Sequence, residues 1–183
     1  PQDLNELPLS EITIAEVLKK NGYKTFYSGK WHLGSEGHYP EDQGFDINIG
    51  GFEKGSPMGG YYTPYKNPKL EDGPDGEYLT DRLTHETIDF IDSRDESKPF
   101  AAFLAFYNVH TPIQENKEFY DYYKEKLNGY DDVEPVTKKE GDAITLLNQR
   151  NAKYASMVHA TDNNVGKIIN YLKENNLYDD TLI

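Results

Sequence analysis

One uninterrupted apolar run, Phe100-Ala-Ala-Phe-Leu-Ala-Phe-Tyr107, restricts the folds open to this chain more than any other stretch. It is bounded by Pro99 on one side and Asn108 on the other, and it has no polar alternation. A strand of that kind is buried on both faces, which predicts a central position in a parallel sheet. Parallel strands need a crossover between them, and the preceding sequence supplies one. Residues 23 to 28, Tyr-Lys-Thr-Phe-Tyr-Ser, form a β-prone run, and Leu83, Thr87, Ile88 and Ile91 make an amphipathic helix from Thr80 to about Ser93 with Thr80 as N-cap. Strand, helix, strand in that order is a βαβ arrangement, and the fold class is α/β with a doubly covered sheet.

The 183 residues suffice for one sizeable core and do not demand a second domain. The 15 Tyr, 8 Phe and 1 Trp give a globular composition. A formal net charge of -13 leaves no excess of cations to neutralise phosphates, which argues against nucleic acid or an anionic membrane as partner. An anion site must therefore be a local exception to the general field. There is no Cys, hence no disulfide, zinc-thiolate site or thiol nucleophile within these residues. No apolar run reaches transmembrane length, so membrane insertion is not expected. The first residues lack the basic-then-apolar order of a signal peptide, and no Asn-x-Ser/Thr sequon occurs.

Along the chain, Ser10 precedes a short helix from Glu11 to Lys20 with Ile14, Val17 and Leu18 at helical spacing, stopped by Asn21-Gly22. Between Gly34 and Gly76 the sequence is rich in Gly, Pro and Tyr and predicts a long ordered loop region, with a short strand at Asp46-Ile47-Asn48-Ile49. Glu115 to about Lys126 reads as a polar surface helix, followed by an acidic turn around Asn128-Gly129 and Asp131-Asp132. A helix is then expected from about Asp142 to Asn175, buried along Leu147, Tyr154, Val158, Val165, Ile169 and Leu172. Asp162 lies on that stripe, where a carboxylate needs a partner. The final Tyr178-Asp-Asp-Thr-Leu-Ile183 reads as a turn and the first apolar residues of another strand, as if the chain were part of a longer one.

Two stretches carry chemistry. In Gly29-Lys30-Trp31-His32-Leu33-Gly34 an extended backbone would point Lys30 and His32 to one face, Trp31 and Leu33 to the other. One reading makes Lys30 a solvated lysine, Trp31 a core anchor and His32 a loop residue satisfied by backbone. The other places Lys30 and His32 at a strand end, where open α/β sheets hold ligands. Asn108-Val-His110-Thr-Pro112 repeats the situation after the second strand and favours the functional reading. His85 and His159 are expected to be solvated or structural, and His38 sits in the loop region.

The ordered set of motifs resembles the type I sulfatases of the alkaline phosphatase-like superfamily. The resemblance runs through Gly22-Tyr23, Gly29 to Gly34, Gly44-Phe45-Asp46, Tyr78-Leu79-Thr80-Asp81, Lys98-Pro99-Phe100, His110-Thr111-Pro112, Tyr154 with Asp162, Val165 and Gly166, and Asp180-Thr181-Leu182. It implies that Lys30 contacts a sulfate oxygen and that His32 hydrogen-bonds a hydrated formylglycine nucleophile and helps its turnover. It implies that His110 contacts the sulfate and assists departure of the alcohol. Fixed cations and donors aimed at the oxygens lower the barrier to sulfuryl transfer, as they do in phosphoryl transfer.

The sequence departs from the family pattern at the nucleophile. The motif Cys/Ser-x-Pro/Ala-x-Arg is missing; Ser97-Lys98-Pro99 has Ala101 where Arg is needed. The resemblance implies a calcium held by an Asp pair near the N-terminus of the whole sulfatase and an Asp-Asn pair just after the strand that begins here at Thr181; neither falls within these residues, so neither Asp162-Asn163 nor Asp179-Asp180 is assigned as metal ligands. The resemblance thus implies that residues 1–183 are the central portion of a single sulfatase catalytic domain, a three-layer αβα sheet domain truncated at both ends, with a loop-rich region at 35–76. The full-length parent would be a calcium-dependent sulfuric ester hydrolase acting on a sulfated small molecule or glycan, periplasmic or secreted in a bacterium; the segment alone would not turn over. A phosphodiesterase or phosphonate hydrolase of the same superfamily, and a non-catalytic glycan-binding protein using the Gly/Tyr-rich residues 50 to 76, are the alternatives.

Overall fold

In the computed structural model, which describes residues 4–129 and 134–183, three parallel strands form the sheet. Strand β1 (Lys24–Gly29) lies between β2 (Ile47–Ile49) and β3 (Phe100–Ala105). β1 and β3 run in register from Lys24 opposite Phe100 to Gly29 opposite Ala105. Among the described residues the middle strand is therefore β1, whose last five residues are buried, with the apolar run beside it. β3 pairs on one side only among the described residues, and all six of its residues are half-buried. An apolar run reports that both faces are covered; it does not report how many edges are paired.

Side chains alternate across this sheet into two cores. On one face Phe26 stacks on Phe90 with ring centroids 4.5 Å apart, and these pack with Ile91 and Leu172. These contacts come from helices α2 (Leu79–Asp92) and α4 (Ala152–Glu174). On the other face Tyr27, Trp31 and Phe45 pack edge to face around Ala15 of helix α1 (Ile14–Lys20). Helices on both faces make the three-layer αβα arrangement.

The helix ends follow local capping chemistry more closely than the apolar spacing. α1 starts after Thr13, not after Ser10, because Thr13 and Glu16 close a capping box: Glu16 N–H donates to Thr13 Oγ1 at 3.1 Å and Thr13 N–H to Glu16 Oε2 at 2.7 Å. Only Ala15 of α1 is buried; Ile14 and Val17 are 60% and 46% exposed. α2 is capped by Tyr78, without a side-chain bond, so Thr80 is inside the first turn. Helix α3 (Lys117–Asn128) has no buried residue, as a polar surface helix should.

The region from Asp142 to Asn175 is not one helix. A surface hairpin, β4 (Thr137–Glu140) and β5 (Ala143–Leu146), turns at Gly141 with φ +61°, and α4 begins only after Asn151, whose side chain accepts from Tyr154 N–H. The β-branched Ile144-Thr145 pair beside a Glu-Gly-Asp turn outweighs helical spacing there. The buried face of α4 is also rotated from the expected stripe. Ser156, Met157, Ala160, Asn164 and Leu172 are buried, whereas Tyr154, Val158 and Val165 are 41–46% exposed and Leu147 is 57% exposed. Small residues and Asn164, whose amide donates to Asp81 at 2.9 Å, let α4 approach α2 closely. Asp162 is exposed and needs no partner. Residues 181–183 are irregular, and the expected Asp131-Asp132 turn lies outside the described residues.

Between β2 and α2 the chain holds no helix or strand beyond the single bridge between Tyr62 and Tyr78. It is nevertheless ordered by its tyrosines: Tyr61 and Tyr65 are 0% and 1% exposed and join Tyr78, Leu83, Tyr107 and Met157 in the largest core.

Candidate active site

Because the three strands are parallel, the segments leaving β1, β2 and β3 emerge at one edge. Lys30 follows β1 directly. Its N–H donates to Ala105 O at 2.8 Å, extending the β1–β3 ladder by one bond, and the Tyr27 hydroxyl donates to its carbonyl. Gly29 makes this possible. Its φ is +106°, and a Cβ there would lie 2.0 Å from Ala105 O. Trp31 turns inward, 9% exposed, and its indole N–H donates to His38 O at 2.8 Å. Lys30 is half-buried and enters no ion pair among the described residues, whereas Lys19, Lys24, Lys69, Lys153 and Lys167 each meet a carboxylate. In a chain of net charge -13 this leaves a cation free for an external anion.

His32 does not continue an extended alternation with Lys30. Its φ is +58°, its N–H donates to Phe52 O at 3.1 Å, and its ring is exposed. Leu33 is 47% exposed and does not pack beside Trp31 as expected. The strand ends at Gly29, so the two-residue period cannot be carried past it. The imidazole is seated against Gly55: a Cβ at that position would lie 2.3 Å from His32 Nδ1. The segment after β2 thereby sets where the His32 ring can sit.

His110 leaves β3 on the same edge, and several side chains hold it. The Tyr61 hydroxyl, fully buried at its ring, reaches both Tyr107 O and His110 O at 2.9 Å. His110 N–H donates to Tyr107 O at 2.8 Å, closing the turn. The Asn108 side chain accepts from Thr80 Oγ1 at 2.6 Å and donates to Met157 O at 2.9 Å, which fastens the turn to α2 and α4. His110 Nδ1 lies 2.8 Å from Thr111 O. A carbonyl can only accept, so Nδ1 carries the proton and Nε2 is the nitrogen left for a ligand. The ring is exposed.

Spacing alone does not single out the supporting residues Tyr61, Asn108 and Gly55. Tyr61 has one legible signal, an aromatic residue directly after Gly59-Gly60; Asn108 has its position between an apolar run and a histidine. Of the three tyrosines in residues 50 to 76, Tyr61 and Tyr65 are core residues and Tyr62 is half-buried. Burial pushes the phenols of Tyr61, Tyr65, Tyr78 and Tyr107 well above their ordinary value, and that of Tyr27 up to about 12.

The other histidines are structural. His38 Nδ1 meets Leu7 O at 3.0 Å and Nε2 lies 3.5 Å from Glu6, tying down the first described residues. His85 pairs with Glu77, and His159 stacks on Phe119 at 3.9 Å. Among the described residues no three His, Cys, Asp or Glu side chains converge on a point where a metal ion would sit, and no helix is long and apolar enough to cross a membrane.

A free cation and two outward imidazoles at the carboxyl edge of a three-layer αβα sheet define a domain suited to holding an oxyanion. The chain belongs to the sulfatase family, whose model, described as Sulfatase, matches residues 1–183. It is 28% identical to arylsulfatase J of Mus musculus over 199 aligned residues, covering 100% of this chain and 29% of the mouse protein. Ps i-CgsB, solved in complex with k-i-k-neocarrahexaose, superimposes with a TM-score of 0.65 at 28% identity, over 97% of this chain and 40% of that one. BT4656, solved with its substrate D-glucosamine-2-N,6-O-disulfate, has the same fold, with a TM-score of 0.66 at 21% identity over 97% of this chain and 49% of that one. The chain therefore spans less than half the length of each of these relatives.

Proposed function

We propose that the full-length protein carrying this chain is a sulfuric ester hydrolase acting on a sulfated carbohydrate, with residues 1–183 as the central portion of its catalytic domain. The observation that carries this reading is the free Lys30 cation and a His110 whose Nε2 is left for a ligand, on the segments leaving the adjacent strands β1 and β3 of a chain matched along its whole length by the sulfatase family. The neocarrahexaose held by Ps i-CgsB supports a glycan as the substrate class.

In this reading Lys30 holds a sulfate oxygen and offsets the negative charge that spreads over the sulfuryl oxygens as the S–O bond breaks. As the nucleophile bonds to sulfur, the electron pair of the breaking S–O bond goes to the departing sugar oxygen; His110, entering this step as the imidazolium, gives that oxygen the proton on Nε2 while Nδ1–H keeps its bond to Thr111 O. Tyr61 and Asn108 hold that imidazole at the correct height, which is where positional precision acts on rate. His32, held against Gly55, hydrogen-bonds the nucleophile. The nucleophile is a formylglycine contributed by another part of the parent, and calcium is held there too; the segment alone would not turn over.

The test is sulfate release by the full-length protein, with formylglycine and calcium content verified, from an aryl sulfate and a panel of sulfated sugars. Release from the sugars is expected. No release from any of them, or faster cleavage of matched phosphonate esters, would overturn the reading.

A further inference from the structure

Away from the Lys30–His110 edge, a cavity of about 330 Å³ opens between the last turn of α3 and the first turn of α4. Its wall comprises Tyr123, Lys126 and Leu127 of α3, Asn148 to Asn151 of the connecting segment, and Ala152 and Ala155 of α4. Among the described residues that line it there is no Asp or Glu, although the chain as a whole carries 32 of them. Two cations line it, Lys126 and Arg150. The Nη1 of Arg150 is shielded from solvent and has no hydrogen-bond partner among the described residues. A guanidinium nitrogen in that condition costs free energy until an acceptor arrives. Nearby Lys153 differs, being neutralised by Glu115 at 2.8 Å. The first turn of α4 itself holds no acidic residue, and the Glu115 carboxylate that reaches it is paired with Lys153.

The cavity lies on the same side of the sheet as the candidate active site. α4 runs parallel to α2: Asp81 at the start of α2 meets Asn164 and Lys167, and Asp92 at its end meets Tyr171. Its N-terminus thus points toward the carboxyl edge. Met157 O is bonded to Asn108, two residues before His110, and Ala152 lies five residues further along α4, about 7.5 Å at the rise of a helix. The cavity and the strand-end site thus share the carboxyl edge of the sheet, the arrangement that a substrate carrying two anionic groups requires.

We infer that the Arg150–Lys126 cavity is a second anion subsite, which takes a further sulfate group of an oligosulfated glycan whose reacting sulfate lies at Lys30 and His110. The inference rests on the proposed hydrolase reading for the identity of the ligand. Arg150 supplies directional N–H donors to sulfate oxygens and Lys126 supplies a mobile point charge, a division of labour that suits a tetrahedral anion. The subsite confers selection for multiply sulfated sugars over singly sulfated ones, in a protein whose overall charge repels polyanions.

The experiment measures binding and turnover by the full-length protein of a disulfated and a monosulfated form of one disaccharide, with Arg150→Gln and Lys126→Gln variants. Lys126 is exposed, so its replacement keeps the test valid if Arg150→Gln does not fold. The disulfated-to-monosulfated preference, in calorimetric affinity and in kcat/KM, is expected to fall about tenfold in Arg150→Gln and by less in Lys126→Gln. An unchanged preference in both folded variants overturns the subsite. Tight binding of inorganic sulfate that Arg150→Gln abolishes, with the preference intact, marks a free-ion site and overturns the glycan assignment. Should the unmodified protein release no sulfate yet show the preference and lose it in the variants, the subsite stands and the hydrolase reading falls. Sulfate release without any preference does the reverse.

Discussion

The hydroxyl of Tyr61 gives the sharpest test of how the His110 turn is held. Replacing Tyr61 by Phe removes one O–H and leaves the ring, so no cavity opens in the core around Tyr65, Tyr78 and Met157. Two acceptors lose the donor, but not equally. Tyr107 O keeps its bond from His110 N–H at 2.8 Å, while His110 O belongs to an exposed residue that water can reach. The loss is therefore close to that of one net hydrogen bond, about 1 kcal/mol and no more than about 1.5. For a chain of this length that corresponds to a fall in melting temperature of roughly 2–5 °C. Truncating to Ala would instead remove a fully buried ring and cost about 3–5 kcal/mol. Urea unfolding followed by circular dichroism separates the two. A Phe variant as stable as the parent chain would show that the hydroxyl does not clamp the turn. A Phe variant as unstable as the Ala variant would show that ring packing, not the hydrogen bonds, had been misjudged.

Three further outcomes are expected. Gly29→Ala should destabilise by about 3 kcal/mol or more and lower the yield of folded protein, because its Cβ would meet Ala105 O at 2.0 Å in a backbone with φ +106°; near-normal stability would contradict the tight β1–β3 approach. Gly55→Ala should displace the exposed His32 ring with little effect on melting temperature while lowering turnover of the full-length protein about tenfold or more, and equal turnover would remove His32 from the site. In alkali, the buried tyrosines hold their protons more tightly folded than unfolded. Their contribution is fully present below about pH 10 and is lost as pH rises toward about 12, the value for Tyr27; tyrosinate absorbance should thus rise together with loss of ellipticity, and ionisation well ahead of unfolding would contradict the burial.

Much of this domain is legible in the sequence because its signals are local. The strand at residues 23 to 28, the α2 crossover and the short strand before Gly50 are visible in β-prone runs, helical spacing and glycine stops. What is not legible depends on contacts between distant segments. Phe100–Tyr107 reads as central, yet strand order is decided by which edges meet, a property no single run contains. The stripe through Tyr154, Val158 and Val165 is as regular as the buried one through Met157, Ala160 and Asn164; the choice between them is made by Asp81 and Asn108 on other elements. The site divides in the same way. Lys30, His32 and His110 announce themselves by residue type at strand ends. Tyr61 and Asn108 act through partners 28 to 49 positions away, and Gly55 through a histidine on another segment, so they leave no spacing to read.

The central claim is that His110 protonates the departing sugar oxygen while Lys30 holds the sulfate. A general acid matters most when the leaving group is a poor one, so the measurement is the effect of His110→Ala in the full-length protein on two substrates. One is a nitrophenyl sulfate, whose leaving group needs little help; the other is a sulfated sugar, whose alkoxide needs a proton. Lys30→Ala serves as the comparison, since loss of the cation weakens both reactions alike. The expected result is a loss about a hundredfold greater on the sugar than on the aryl ester for His110→Ala, with equal losses for Lys30→Ala and unchanged unfolding free energy for both. Equal losses on the two substrates for His110→Ala would contradict the assignment.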